Sequence, residues 1–181
     1  MTTEFAHLDE RGYVHIVDIT GKEQTHRRAI ARCRVVVDAG PGLDDSPYET
    51  DLVDSATLAE ASIAGMFAAK QTSTLIPLCH PIRLTDISVA VTLESGDVVV
   101  TVTTETVERT GVEMEALTAC AIAALAVVGA CSSNGIAASV EDLTLWEKTG
   151  GRSGTWRRPP DRPPDGVRPL LPPMLHNREA R

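Results

Sequence analysis

Residues 74 to 84 read TLIPLCHPIRL and set a thiol beside an imidazole, Cys79 and His80, between Pro77 and Pro81. Such a pair can ligate a metal, act as nucleophile and base, or present one imidazole on a stiff loop. Zinc needs three or four ligands at suitable spacing, and the neighbouring sequence supplies none. Adjacent residues on an extended loop point to opposite sides, which suits a nucleophile–base couple poorly. The favoured chemistry is His80 as a positioned hydrogen-bonding or acid–base group. A purely structural histidine is the alternative.

Two further stretches carry charge in patterns that could meet a ligand. In RTGVEMEALTA, residues 109 to 119, Glu113 and Glu115 fall in the first turn of an apolar helix, with Met114 between them. Unpaired N–H groups and the helix dipole favour acids there, which is sufficient structural reason for both. Yet on a helix of 3.6 residues per turn the two project about 200° apart. Only one can share the core side, and that one needs a partner or a ligand. In EKTGGRSG, residues 147 to 154, Gly150, Gly151 and Gly154 permit a concave nest of backbone N–H groups, with Lys148 and Arg152 adding positive charge. A plain flexible loop is the competing reading. Lys22, His26, Arg27 and Arg28 in GKEQTHRRA, and Lys70 shortly before the His80 loop, add further cations. A solvated face accounts for them as well; with the Gly turns they suggest a polyanionic small molecule.

The whole chain is acidic, with a net charge of −8 over 181 residues, which argues against general nucleic-acid binding. Aromatics make up only 3%, so bases would find little to stack upon. No apolar run approaches the roughly 18 to 20 residues of a membrane span, and MTTEFAHLDERG lacks the basic-then-apolar order of a signal peptide. A cytoplasmic protein is expected. Its four cysteines are scattered without a CxxC pair, which suggests neither a disulfide framework nor a zinc knuckle.

These residues must be positioned by a core of Ala, Val, Leu and Ile. Alternation predicts strands over 29–37, 86–94, 98–108 and 139–148, and 3.6-residue spacing predicts helices over 56–70 and from about 112 to 131. In the first helix Leu58, Ser62, Met66 and Ala69 share one face; Thr110 with Glu113 would form a capping box for the second. The turn SGD at 95–97 joins two strands. The order is βαββαβ, an α+β ferredoxin-like pattern: an antiparallel sheet with two helices on one face and the other face open. At least a dimer is expected. Residues 1–156 form one domain with its core at about 29–148. Residues 157–181 hold seven of the eleven prolines and six Arg against three acids, and are expected to be an extended or disordered tail. Residues 38–54 are expected to be an exposed loop.

Taken together, IAGMFAAKQTSTLIPLCHPIRLT, RTGVEMEALTA and EKTGGRSG, in that order, resemble the molybdenum-cofactor biosynthesis family that makes cyclic pyranopterin monophosphate. The resemblance covers about residues 7 to 154. It implies a ferredoxin-like subunit assembled as a hexamer, a trimer of dimers, with active sites at subunit contacts. The implied substrate is a cyclised dihydro-GTP, a phosphate-bearing purine-nucleotide derivative that is rearranged with release of pyrophosphate. No metal or organic cofactor is implied. Residue by residue, Leu78, Cys79 and His80 match the substrate loop, Glu113, Met114 and Glu115 the helix-start contacts, and Lys22, Arg27 and Lys70 basic positions near the substrate. Arg152 stands for a family lysine, which keeps charge but changes geometry.

The departures fall on the chemistry. The family's catalytic D-x-x-K pattern corresponds to Gly129 and Ser132 in VVGACSSNG, and a lysine before the first helix corresponds to Asp54. Losing an acid–base group costs about 10² to 10⁴ in rate. The leading expectation is a diverged lyase, cyclase or hydrolase acting on a GTP-derived nucleotide, with His80, Glu115, Glu113 and Lys70 as its remaining acid–base groups. The alternatives are the ordinary synthase, rescued by residues such as Glu141 or Asp142, and a non-catalytic subunit that completes a mixed assembly with an active paralogue.

Overall fold

The computed structural model describes residues 7–9, 11–38 and 53–159. In chain order the elements are β1 (Thr25–Asp38), α1 (Ser55–Lys70), a one-turn α2 (Thr72–Leu75), β2 (Asp86–Glu94), β3 (Asp97–Glu108), α3 (Glu113–Ser133), β4 (Ala137–Thr149) and β5 (Trp156–Arg157). All strand pairs are antiparallel and the sheet order is β2-β3-β1-β4-β5. The first four strands have the ferredoxin-like order that the βαββαβ pattern predicts. The short α2 and β5 are additions that the sequence did not signal.

Alternation decides which strand residues build the core. Ala29, Ala31, Cys33 and Val35 of β1, with Val98, Val100 and Val102 of β3, pack with Ala116, Ala119, Cys120, Ala123 and Val127 of α3 in one buried cluster. α3 is long and apolar enough to cross a membrane by length and composition, contrary to the expectation from the sequence. Its buried residues belong to the same cluster as those of the sheet, which accounts for its apolar character within the core.

The face of α1 differs from the expected one. Its buried residues are Ala61, Gly65, Ala68 and Ala69, while Met66 is exposed. The reason is close packing. A Cβ on Gly65 would lie 3.0 Å from the Ala119 carbonyl oxygen and 3.2 Å from both the Ala123 Cβ and Val89 Cγ1. Small residues therefore set the α1–α3 contact. Asp54 caps α1 by accepting the Thr57 N–H at 2.7 Å.

The start of α3 also differs. Its N-cap is Val112, which makes no side-chain cap hydrogen bond, so the Thr110–Glu113 capping box is not formed. The Val112 carbonyl accepts both the Ala116 N–H and, at 3.0 Å, the hydroxyl of buried Thr104 in β3. A tertiary contact thus fixes the helix start, while its first-turn N–H groups receive no side-chain cap from the N-cap residue. Most of the loop expected at 38–54 and nearly all of the 157–181 tail lie outside the described residues.

Candidate active site

The interior strand β3 positions two of the segments singled out above. Thr104 holds the start of α3 through Val112, and two residues on, Thr106 donates its hydroxyl to the Arg83 carbonyl. The Thr85 N–H adds a 2.8 Å bond to the Glu105 carbonyl. The His80 loop and the Glu113–Glu115 turn are thereby fixed to one strand. The loop itself is not extended as expected: the Cys79 N–H closes a turn onto the Ile76 carbonyl at 3.0 Å.

β1 and β4 bring the cations. The Lys148 ammonium lies 3.0 Å from the Glu113 carboxylate, which folds back over Gly111 where any Cβ would overlap it. Arg27 donates from Nε to the Glu108 carbonyl at 3.1 Å and from Nη2 to the Arg109 carbonyl at 3.3 Å. Its guanidinium also lies against Gly151, and the His26 carbonyl lies against Gly150, both where a Cβ would stand. Gly150 (φ +95°) and Gly151 (φ +69°) adopt the left-handed backbone that L side chains resist. The result is a cleft lined by Arg27, Gly111, Glu113, Lys148, Gly150 and Ser153.

Of the two acids, Glu115 is the one that turns inward, 4% exposed. Burial, and then the nearby negative charge of Glu113, raise its carboxyl to about 7. Such a group exchanges a proton near neutrality, which suits general acid–base work. Cys79 feels the Glu115 charge: burial first, and that carboxylate second, raise its thiol. A raised thiol stays protonated near neutrality and is a poor nucleophile. Among the described residues no group of three or more His, Cys, Asp and Glu side chains converges as a metal site.

His80 is half-buried and sits near a second small group. Asp18 accepts the Thr20 N–H at 2.8 Å, and its carboxyl is lowered by that bond first, with smaller contributions from Lys22 and His80. The structure thus brings together Arg27, Glu113 and Lys148 at the cleft, sets Cys79 near Glu115, and places Lys22 and His80 near Asp18. Leu78 lies in the turn next to Cys79, half-buried, and Met114 is 39% exposed on the first turn of α3. Arg152 is exposed on the Gly150–Gly154 loop. Lys70 ends α1 with its side chain exposed, and among the described residues no hydrogen bond or ion pair joins it to the cleft. Lys148, Thr104, Thr106 and Asp18 complete the arrangement. The sequence showed Lys148 only as a nearby charge, and gave no sign of the roles of the other three.

Gly129 and Ser132 lie far from this cleft. Both are exposed near the C-terminal end of α3, and a Cβ on Gly129 would meet nothing within 4 Å. Sixteen residues of helix separate Glu113 from Gly129, about 24 Å.

The sequence profile of the MoaC family matches residues 16–151. The chain belongs to this family. Among its MoaC-family relatives is the cyclic pyranopterin monophosphate synthase of Thermomicrobium roseum, 46% identical over 160 residues, which cover 87% of this chain and 95% of that protein. The cyclic pyranopterin monophosphate synthase 2 of Mycobacterium tuberculosis is 42% identical over 161 residues, covering 86% and 92%. The synthase of Streptomyces coelicolor is 41% identical over 152 residues, covering 84% and 88%.

Proposed function

We propose that this MoaC-family chain binds a cyclised, phosphate-bearing derivative of GTP in the Arg27–Glu113–Lys148–Gly150 cleft and acts on it as a lyase, cyclase or hydrolase. One observation carries the reading: a cleft of paired and nested cations meets Glu113 in the same helix turn that buries a second carboxyl, Glu115, whose proton is exchangeable near neutral pH. Glu115 is the proton-transfer group of this reading; Lys148 donates to phosphate oxygens, and Glu113 orients that ammonium and accepts from N–H groups of the ring. His80, from the neighbouring turn, orients the ligand or shares the proton transfer. Lys70 and Arg152, both exposed, reach the ligand only when it or another subunit approaches them. No metal or organic cofactor is required by this scheme.

In this reading Gly129 and Ser132 stand where the family resemblance implies an Asp–Lys pair, so chemistry relies on the cleft groups. The separation of about 24 Å along α3 means that a site using both helix ends draws them from two chains. That favours a homo-oligomer, which the family resemblance makes a hexamer, and we place it in the cytoplasm.

The second reading is the ordinary synthase, which converts cyclised dihydro-GTP to cyclic pyranopterin monophosphate and pyrophosphate. Identities of 40–46% to curated synthases over most of their length favour it. Incubating the purified protein with freshly made cyclised dihydro-GTP separates the two. Pyranopterin product with pyrophosphate supports the ordinary synthase. Binding without that product supports the diverged one, and Gly129→Asp with Ser132→Lys should then gain product. Absence of millimolar or better calorimetric binding to both GTP and cyclised dihydro-GTP sinks the ligand assignment.

A further inference from the structure

The strand ends that supply the cleft have a second face with charge of its own. Arg27 and Lys148 lie on the α3 side of the sheet. Their chain neighbours Arg28 and Glu147 point the other way, because successive strand residues alternate. There His26 Nε2 lies 2.9 Å and Arg28 Nε 3.2 Å from the Glu105 carboxylate. Arg28 Nη1 is 3.5 Å from one Glu147 oxygen, and Arg157 Nε is 2.8 Å from the other. The chain of charges crosses the sheet from β3 through β1 and β4 to β5. Glu147 is its junction, with a side chain only 18% exposed and one guanidinium on each oxygen.

What this junction fastens is small. β5 is two residues long and pairs only through Glu147↔Arg157 and Lys148↔Trp156, extended by the Arg158 N–H to the Trp146 carbonyl at 2.9 Å. The loop carrying Gly150, Gly151, Arg152, Ser153 and Gly154 hangs from that closure. Three of its residues have positive φ, so the loop has no regular backbone ladder of its own. Exposed ion pairs add little to global stability. A pair that closes a loop instead restricts where the loop sits, and a misplacement of about 1 Å can cost a reaction about 10²-fold in rate.

We propose that Glu147, gripped between Arg28 and Arg157, is a positioning residue for phosphate binding: from the far face of the sheet it sets the Gly150–Gly154 loop against the Arg27–Lys148 cleft. The proposal rests on the nucleotide reading above.

The test uses the full chain with Glu147→Gln, Arg157→Gln and the conservative Arg157→Lys, and Glu60→Gln on α1 as a control. Hydrogen exchange of the ligand-free protein reads the loop, and calorimetric titration with GTP and with inorganic pyrophosphate reads the cleft. Glu147→Gln and Arg157→Gln should speed exchange at residues 150–155 and not in α1, and weaken GTP binding by about 5- to 10-fold, the loss expected when one hydrogen bond to the ligand is forfeited. Arg157→Lys should restore binding to near the parent value, and Glu60→Gln should leave both readings unchanged. Unchanged loop exchange, or faster exchange with unchanged affinity, overturns the positioning role while leaving the nucleotide reading intact. A parent protein that binds neither GTP nor pyrophosphate overturns the positioning role, and one that also fails to bind cyclised dihydro-GTP overturns the nucleotide reading with it.

Discussion

The Lys148 ammonium at the end of β4 sits 3.0 Å from the Glu113 carboxylate in the first turn of α3. This pair joins the last core strand to the helix that faces it. It leaves Glu115 as the inward acid, with no ammonium of its own among the described residues. The pair therefore sets the two acids of one turn apart: Glu113 is tied to an ammonium, and Glu115 is buried.

Lys148→Ala should barely affect folding. The two side chains are 33% and 28% exposed, and such a pair contributes under about 1 kcal/mol. A thermal melt should shift by a few degrees at most. GTP affinity, measured by calorimetry, should fall at least about 10-fold, since a charge-assisted contact to phosphate is lost. An affinity equal to that of the parent would remove Lys148 from the ligand.

Glu115 makes stability depend on pH in an unusual direction. Its folded pKa of about 7 lies above the ordinary 4.5, so the folded chain holds the extra proton between those values. The cost of ionising it is absent below pH 4.5, grows as pH rises toward 7 and is constant above. A shift of this size corresponds to about 3 kcal/mol at the upper limit. Glu115→Gln should therefore gain stability relative to the parent between pH 5 and pH 8, as read by urea unfolding at both. Glu113→Gln removes a negative neighbour and should move the parent's transition to lower pH. Parallel pH–stability curves for parent and Glu115→Gln would contradict the assignment.

Two helix glycines should respond oppositely to alanine. Gly65→Ala places a Cβ 3.0 Å from the Ala119 carbonyl and should destabilise by about 1 to 3 kcal/mol. Gly129→Ala meets open space and should stabilise the isolated chain by about 0.5 to 1 kcal/mol. Urea titration of both reads the difference. If Gly129→Ala destabilises, and does so increasingly with protein concentration, another copy lies against that part of α3.

Gly150→Ala should abolish ligand binding without unfolding the core. Its φ is +95°, and the new Cβ would run into the His26 carbonyl. The strain, of the order of 1 to 3 kcal/mol, falls on the loop alone. Near-parent circular dichroism with lost GTP binding is the expected pair of results.

The strands and long helices were legible because alternation and 3.6-residue spacing are local. So was the division of Glu113 and Glu115, which needed only the pitch of a helix. What stayed hidden depends on distant partners. The start of α3 was misplaced because it is fixed by Thr104, eight residues before Val112 and on another element, which donates to the Val112 carbonyl, and no local side chain caps the first-turn N–H groups. The buried face of α1 was misread because an alanine–glycine stripe has little hydrophobic contrast; only the approach of Ala119 shows that Gly65 points inward. The Glu113–Lys148 and Glu147–Arg28 contacts span 35 and 119 residues, and no spacing rule connects them. Arg157 belonged, by composition, to a proline–arginine tail, yet it begins that segment as a sheet residue paired with Glu147.

The rigid length of α3 carries a genetic consequence. If catalysis draws on the amino end of one copy and the carboxyl end of another, ownership of a site belongs to the contact and not to a gene. Two silent alleles, one lesioned at Lys148 and one at the far end of the helix, would then complement each other when co-expressed, because one kind of mixed contact contains neither lesion. By the same logic this chain, with Gly129 and Ser132 at its far end, would act as a recessive partner to a relative that carries acid and lysine there. It would contribute an intact cleft to that relative's helix while offering no second set of groups in return.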